Sequence, residues 1–289
     1  MKAARFTYFL PNSLNEALAH LQMAKGNATI LAGGQSLVPL MARRLTKPST
    51  IVDINRLTEL GEVTRTAQST IVGAMVRQNQ LLTDPNVADH VPALAIATRL
   101  VGHHQTRNRG TIGGSIAFGE PAAELPAVSL ALNAVVHVRS SKATRIIPIG
   151  DFYVGPYLTN LQADELVVAI EYPDWPEGTR FIVREITQRS VDIALVGLVC
   201  GLTFQQRTIT GASIVWFGMG PKPLRSAAAE ESLLGKCLNE LDPRFVAELA
   251  IEETRPGNER NVEGGYRIRV GRYLLTRALV DLLGGTDVG

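Results

Sequence analysis

The chain has 289 residues, 45% hydrophobic and 19% charged, with a formal net charge of +2. That length buries a sizeable core and divides into two or three domains, and so small a charge gives no electrostatic case for a nucleic acid or a membrane surface. No apolar run approaches the roughly 20 residues of a membrane span, and Met1-Lys2-Ala3-Ala4-Arg5-Phe6 lacks a signal peptide's long apolar core, so a cytoplasmic protein is expected.

Phe6 to Leu10 reads as a strand ended by Pro11-Asn12. Ser13 and Glu16 are spaced as a capping box, and Leu14, Ala17, Leu18 and Leu21 make one apolar helix face. The β-prone run Ala28-Thr29-Ile30-Leu31 then leads into Ala32-Gly33-Gly34-Gln35-Ser36 and on to Leu37. Adjacent glycines permit positive φ and close approach by another molecule. Ser36 is placed to cap the next helix, with Pro39 in its first turn. Open N–H groups at such a helix start favour a phosphate or diphosphate, although a plain strand-to-helix turn has the same spelling. Arg43 and Arg44 read as solvated helix-end charges, and Thr50 to Ile54 closes a small β-α-β unit.

A second region begins near Leu57, with a strand at 70–75 and a helix at 92–100. After Val101-Gly102 and the basic stretch 103–110 comes Thr111-Ile112-Gly113-Gly114-Ser115, a second glycine pair followed by serine. Two such segments suit a ligand with two adjacent phosphates gripped from both sides. Neither is a G-x-x-x-x-G-K-[ST] loop nor a G-x-G-x-x-G fingerprint. His103-His104 have no carboxylate or nucleophile placed beside them by sequence, so a structural or surface role is preferred to acid–base work. Glu120 to Pro126 opens a helix through Leu132, its acids suiting the helix dipole. Strands follow at 134–138, 145–149 and 165–172, and Asp174-Trp175-Pro176-Glu177-Gly178 has the composition of a boundary.

Beyond it, 180–189, 193–204 and 208–219 read as three long antiparallel strands, the last two joined by Gln205-Gln206-Arg207. Helices at 227–238, 243–253 and 266–283 cover one face of that sheet, and a mobile loop is expected over 255–265. Two cysteines, Cys200 and Cys237, cannot supply the four thiolates of an iron–sulfur cluster, and the five histidines show no zinc spacing. No metal is therefore expected in this chain, and any metals of a redox system would belong to partners.

The two glycine segments, Ala32-Gly33-Gly34-Gln35-Ser36 and Thr111-Ile112-Gly113-Gly114-Ser115, resemble the FAD-pyrophosphate loops of the flavoprotein (medium) subunits of molybdenum hydroxylases. That group includes carbon monoxide dehydrogenase, quinoline and nicotine hydroxylases, and the flavin domain of xanthine dehydrogenase. The resemblance covers nearly the whole chain, since Ile149 to Gly155, Asp164-Glu165-Leu166-Val167 and Tyr266-Arg267 also fit the pattern. It implies an α+β fold: a two-lobed FAD-binding domain over 1–176 (a small β-α-β lobe, 1–56, and a larger α/β lobe, 57–176), then a C-terminal three-stranded antiparallel sheet with helices over 177–289. It implies FAD contacts from Leu31, Ala32, Gly33, Gly34, Gln35, Ser36 and Leu37 on one side and Thr111, Gly113, Gly114 and Ser115 on the other. Val101, Gly102 and Ile193 would lie by the isoalloxazine, Glu124 by the ribityl or ribose hydroxyls, with Val167 and Arg184 also in contact. The sequence departs from the family in having Val101 where an aromatic often stacks, Glu120-Pro121 for Asp-Pro, and Glu124 where Asp is frequent.

The resemblance assigns no catalytic or metal-ligating residue to this chain. It implies an electron-transfer subunit in a heterotrimer or dimer of heterotrimers. Electrons would arrive from [2Fe-2S] clusters on a small partner and leave to a terminal acceptor, with molybdopterin-molybdenum on a large partner. Two other readings stay open: a self-sufficient flavin oxidase or reductase, which would need its own acid or base, and a non-redox nucleotide-binding assembly protein.

Overall fold

The computed structural model describes residues 2–237, 240–258 and 262–284, and among these three sheets of three or more strands and one two-stranded pair carry the chain. The first sheet is wholly parallel: β1 (Thr7–Phe9), β2 (Ala28–Leu31) and β3 (Thr50–Asp53) lie in the order β1-β3-β2, linked by helices α1 (Leu14–Ala24) and α2 (Leu37–Ala42). α1 buries the expected face, Leu14, Ala17, Leu18 and Leu21. Ser13 Oγ accepts from Glu16 N at 3.2 Å, while Glu16 Oε2 reaches one residue further out than a capping box does, to Asn12 N at 2.8 Å.

The second sheet is antiparallel, in the order β4-β5-β10-β6-β7, from β4 (Val63–Arg65), β5 (Ser69–Gly73), β6 (Val135–Arg139), β7 (Thr144–Pro148) and β10 (Leu166–Pro173). Five helices lie between β5 and β6: α3 (Pro85–His90), α4 (Pro92–Leu100), α5 (His104–Arg109), α6 (Ile112–Phe118) and α7 (Glu124–Ala131). A single-turn helix α8 (Ile149–Phe152) and the short pair β8 (Tyr153–Gly155) and β9 (Leu158–Thr159) fill the connection to β10.

The third sheet holds the three expected strands, β11 (Thr179–Thr187), β12 (Ala194–Gln205) and β13 (Thr208–Phe217), plus a two-residue fourth, β14 (Leu224–Arg225). Helices α9 (Ala227–Leu233), α10 (Pro243–Glu252) and α11 (Gly264–Gly284) bury Trp216, Leu198 and Ile214 from one side. The expectation that only one face is covered is corrected: Val183, Val199, Val215 and Phe217 pack on the other side into the core that α4 and α7 share. Burial on both faces explains why β12 is apolar nearly throughout. Of the loop read over 255–265, residues 259–261 lie outside the described residues, as does the end of the helix read to Leu238. No helix among the described residues is long and apolar enough to cross a membrane.

Candidate functional site

The two glycine segments, far apart in sequence, meet in space. A Cβ built on Gly33 would lie 2.2 Å from Arg109 O and 2.7 Å from Gly110 Cα, so only glycine lets the first segment touch the residues that lead directly into the second. On the other side, a Cβ on Gly114 would come 3.7 Å from Ala32 Cβ. Beside this meeting lies a cleft of about 290 Å³ lined by Leu31, Ala32, Gly33, Gly34, Gln35, Val38, Pro39, Asp53, Asn55 and Arg109. A wholly apolar hollow of about 230 Å³ opens next to it, sharing Leu31 and Val38 and walled by Phe6, Tyr8 and Ile51.

The first segment is built to offer donors. Gly34 takes φ 73°, and among the described residues the N–H groups of Gly34, Gln35 and Ser36 make no hydrogen bond. Ser36 does not cap α2, which corrects the sequence expectation: its own backbone is helical, φ −102° and ψ −51°, so its hydroxyl is not aimed back at the helix amides. Gln35 Nε2 instead donates to Gly33 O at 3.1 Å, fixing the turn.

The second segment is built differently. Thr111 is the N-cap of α6, and its Oγ1 accepts from Gly114 N at 3.1 Å. Ile112 N donates to Val76 O at 3.1 Å and Gly113 N to Ala74 O at 2.9 Å. The open amides expected of a helix start are therefore already engaged here. Ser115 is half-buried in the first turn of the same helix.

A polar chain that sequence reasoning missed joins the two. Asp53 is 8% exposed; its Oδ2 accepts from Tyr8 Oη at 2.6 Å and its Oδ1 from Asn55 Nδ2 at 2.6 Å. Asn55 Nδ2 also donates to Ala32 O at 2.8 Å, and Asn55 Oδ1 accepts from Arg77 Nη2 at 2.7 Å. Arg77 Nη1 ends the chain on Arg109 O at 2.6 Å. Burial lowers the Arg77 pKa, the neighbouring Arg109 charge lowers it further, and Asp53 opposes both. The one sequence signal was Asp53 itself, an acid at the inner end of an apolar strand.

The remaining predicted residues are divided. Val101 ends α4, and Gly102 follows with φ 40°. Arg107, read from sequence as part of a basic cluster, holds this turn by donating Nη1 to Val101 O at 2.9 Å and Gly102 O at 2.6 Å. Ile193 is 48% exposed in the connection from β11 to β12. Leu37 begins α2, half-buried. Glu124 begins α7 at 9% exposure, and burial is the main reason its pKa is pushed up to about 7; its own backbone N–H opposes and the Glu120 charge adds. Glu185 on β11 is pushed up to about 8 by burial and then by the Glu124 charge, and its Oε2 has no hydrogen-bond partner among the described residues.

Two of the expected residues have side chains engaged elsewhere in the fold. Val167 is 3% exposed and its side chain belongs to the core under β10, so it offers no side-chain surface to a ligand. Arg184 pairs with Asp281 of α11, on the sheet face it shares with Ile182 and Ile186. Strand alternation turns Phe181, Val183 and Glu185, not Arg184, toward α4 and α7. His103 and His104 are exposed, with His104 Nδ1 3.1 Å from Asn108 Nδ2.

Residues 4–175 match the family described as the FAD binding domain in molybdopterin dehydrogenase, and residues 182–282 the CO dehydrogenase flavoprotein C-terminal domain. The carbon monoxide dehydrogenase medium chain of Hydrogenophaga pseudoflava is 32% identical over 95% of this chain and 96% of its own length. The glyceraldehyde dehydrogenase medium chain of Sulfolobus acidocaldarius is 33% identical over 98% of this chain and 100% of its own. Among solved structures, a chain of quinoline 2-oxidoreductase from Pseudomonas putida 86 superposes with a TM-score of 0.94 at 35% identity, covering 99% of each chain. With a parallel lobe and an antiparallel lobe bringing two glycine segments together, and with both family models matched in order, the chain belongs to the FAD-binding medium subunits of the molybdenum hydroxylases.

Proposed function

We propose that this chain is the electron-transfer flavoprotein of a heterotrimeric molybdenum hydroxylase, or of a dimer of such trimers, in the cytoplasm. In this reading it takes electrons from [2Fe-2S] clusters on a small subunit and passes them to a terminal acceptor, while substrate is oxidised at a molybdopterin-molybdenum centre on a large subunit. We take 1–176 as the FAD-binding domain and 177–289 as the C-terminal domain. The carrying observation is the approach of the glycine segments, Gly33 against Arg109 and Gly110, beside the cleft lined by Leu31 to Gln35.

The residues fit a dinucleotide flavin. The unengaged N–H groups of Gly34, Gln35 and Ser36 are donors for phosphate oxygens, and Arg109, an exposed basic residue, lines the same cleft. The adjoining apolar hollow suits a planar base. Glu124 is a carboxyl able to meet ligand hydroxyls, and Val101 and Ile193 are apolar flanks for a ring. FAD, once bound, supplies the redox chemistry; the protein supplies grip, orientation and access.

Acid precipitation of the flavin-loaded chain tests the hold: colour should leave with the supernatant, and a yellow pellet would mean a covalent tether. The isolated chain should not be bleached by a substrate that the assembled complex oxidises. Bleaching at the assembled rate would replace this reading with the self-sufficient oxidoreductase.

A further inference from the structure

Arg109 O stands at a crossing. The closest approach of the first glycine segment, at Gly33, falls on this carbonyl, and the same oxygen accepts from Arg77 Nη1 at 2.6 Å. The other guanidinium arm, Nη2, donates to Asn55 Oδ1 at 2.7 Å, and Asn55 Nδ2 donates to Ala32 O at 2.8 Å. The path from the first segment's backbone to the residues leading into the second therefore runs Ala32–Asn55–Arg77–Arg109, each link a side-chain hydrogen bond.

Both ends of the path are held independently. Asp53, itself fixed by Tyr8, accepts from both Asn55 N at 2.9 Å and Asn55 Nδ2 at 2.6 Å, so the amide's orientation is set before Arg77 arrives. On the other side, the backbone from 76 to 79 is bound along residues 107–112, which run into the second segment: Gln78 N donates to Gly110 O at 2.9 Å, Asn79 N to Arg107 O at 3.0 Å, and Val76 O accepts from Ile112 N at 3.1 Å. Arg77 is thus rooted in the second segment and reaches across to the first. A planar guanidinium donates from two separate nitrogens and so reaches both acceptors; an ammonium would have to reach both from one nitrogen.

We propose that Arg77 and Asn55 are positioning residues: a cross-lobe clamp that fixes the separation of the two glycine segments and thereby sets the affinity for a diphosphate held between them, without touching it. The inference rests on the reading of the cleft as the site of a dinucleotide.

The test measures dissociation constants of the full-length apo chain for FAD and, separately, for ADP, together with the apo melting temperature. The variants are Arg77→Met, Arg77→Lys, Asn55→Ala and the Arg77→Met/Asn55→Ala double. Ser226→Ala is the control for generalised destabilisation, since its hydroxyl joins Trp216 and Ala250 deep in the third sheet's core. Arg77→Met should weaken both ligands about tenfold to a hundredfold, roughly the worth of one hydrogen bond to a charged group, because the clamp acts on the ligand only through the segments it positions. Arg77→Lys should recover part of that loss. Because the clamp acts in series, the double variant should be no weaker than the worse single. FAD and ADP constants within twofold of wild type in Arg77→Met would overturn the clamp, as would strictly additive losses, or losses equal to those of Ser226→Ala at matched melting temperature. A wild-type chain that binds ADP but not FAD would end the flavoprotein reading while leaving the clamp to be judged on ADP. One that binds neither would end both.

Discussion

Two glycine pairs with the same neighbours in sequence do different work in the fold. Gly33-Gly34 lies in an open turn after β2, with three successive amides unengaged and a cleft in front of them. Gly113-Gly114 lies inside the first turn of α6, where Val76 O, Ala74 O and Thr111 Oγ1 take up the amides of residues 112 to 114. A Cβ at Gly113 would sit 2.5 Å from Ala74 Cβ and 2.7 Å from Ala74 O. The first pair is thus mainly a cradle and the second mainly a joint. Glycine marks close approach; the first pair borders an open cleft, which we propose a ligand fills, and the second meets the protein's own backbone. Gly33 belongs to both types, because its neighbour is the backbone leading to the second pair.

The largest effect should come from breaking the joints. Gly33→Val and Gly113→Val each force a branched side chain into backbone atoms that cannot yield, and should cost about 3 kcal/mol or more, at the high end of overpacking. Denaturant midpoints measure this directly. Loss of flavin from these variants will reflect loss of the interface, so neither isolates a ligand contact. A Gly113→Val protein as stable as wild type would show that α6 is free to move off Ala74 and that the second pair is no joint.

A smaller, pH-dependent effect separates the two sides of the site. The first side offers backbone amides, which do not titrate in this range. The second side leads through α6 to Glu124, whose carboxyl rises from the ordinary 4.5 to about 7 chiefly through burial. Between those values the unfolded chain has lost this proton while the folded chain keeps it, so the folded state binds more protons and its stability falls as pH rises, levelling above about 7. Glu124→Gln should remove this slope, gaining on wild type by about 1–3 kcal/mol between pH 4.5 and pH 8. Glu185 adds a slope of the same sign up to about 8, whereas Glu165 and Glu171, held low by their partners, act in the opposite direction. The readout is therefore the difference between variant and wild type. An unchanged pH profile in Glu124→Gln would mean that the carboxyl is open to water.

Much of this was visible in the sequence because local rules govern it. The apolar stripe of α1, the long run of β12 and both glycine pairs follow from periodicity and turn chemistry. What escaped depends on partners remote in the chain. Asn55 and Arg77 bind backbone carbonyls at Ala32 and Arg109, and a carbonyl leaves no trace in residue identity. The pairing of Arg184 with Asp281 escaped for another reason. β11 has apolar residues on both faces, Ile182 and Ile186 on one and Phe181 and Val183 on the other, so alternation alone does not say which face looks toward the site. Val167 fits the family's pattern, yet its side chain is core. Ser36 had a capping residue's identity without the extended backbone that capping needs.

That last difference gives the mildest test and the sharpest one. Thr111 has the extended backbone of a true N-cap, φ −119° and ψ 153°, and its hydroxyl satisfies Gly114 N at 3.1 Å. Thr111→Val keeps the shape and removes that acceptor, which should cost about 1 kcal/mol of stability. Ser36→Ala removes a hydroxyl that caps nothing, so stability should change by no more than about 0.5 kcal/mol. Ligand binding should reverse the order. Ser36 stands beside unengaged amides in the cradle, so Ser36→Ala should weaken FAD severalfold, while Thr111→Val, acting on a turn buried in the joint, should weaken it less. Chemical denaturation and flavin fluorescence titration of the same two preparations give all four numbers. If Ser36→Ala lost more stability than Thr111→Val, or bound FAD more tightly than Thr111→Val did, the division into cradle and joint would fail.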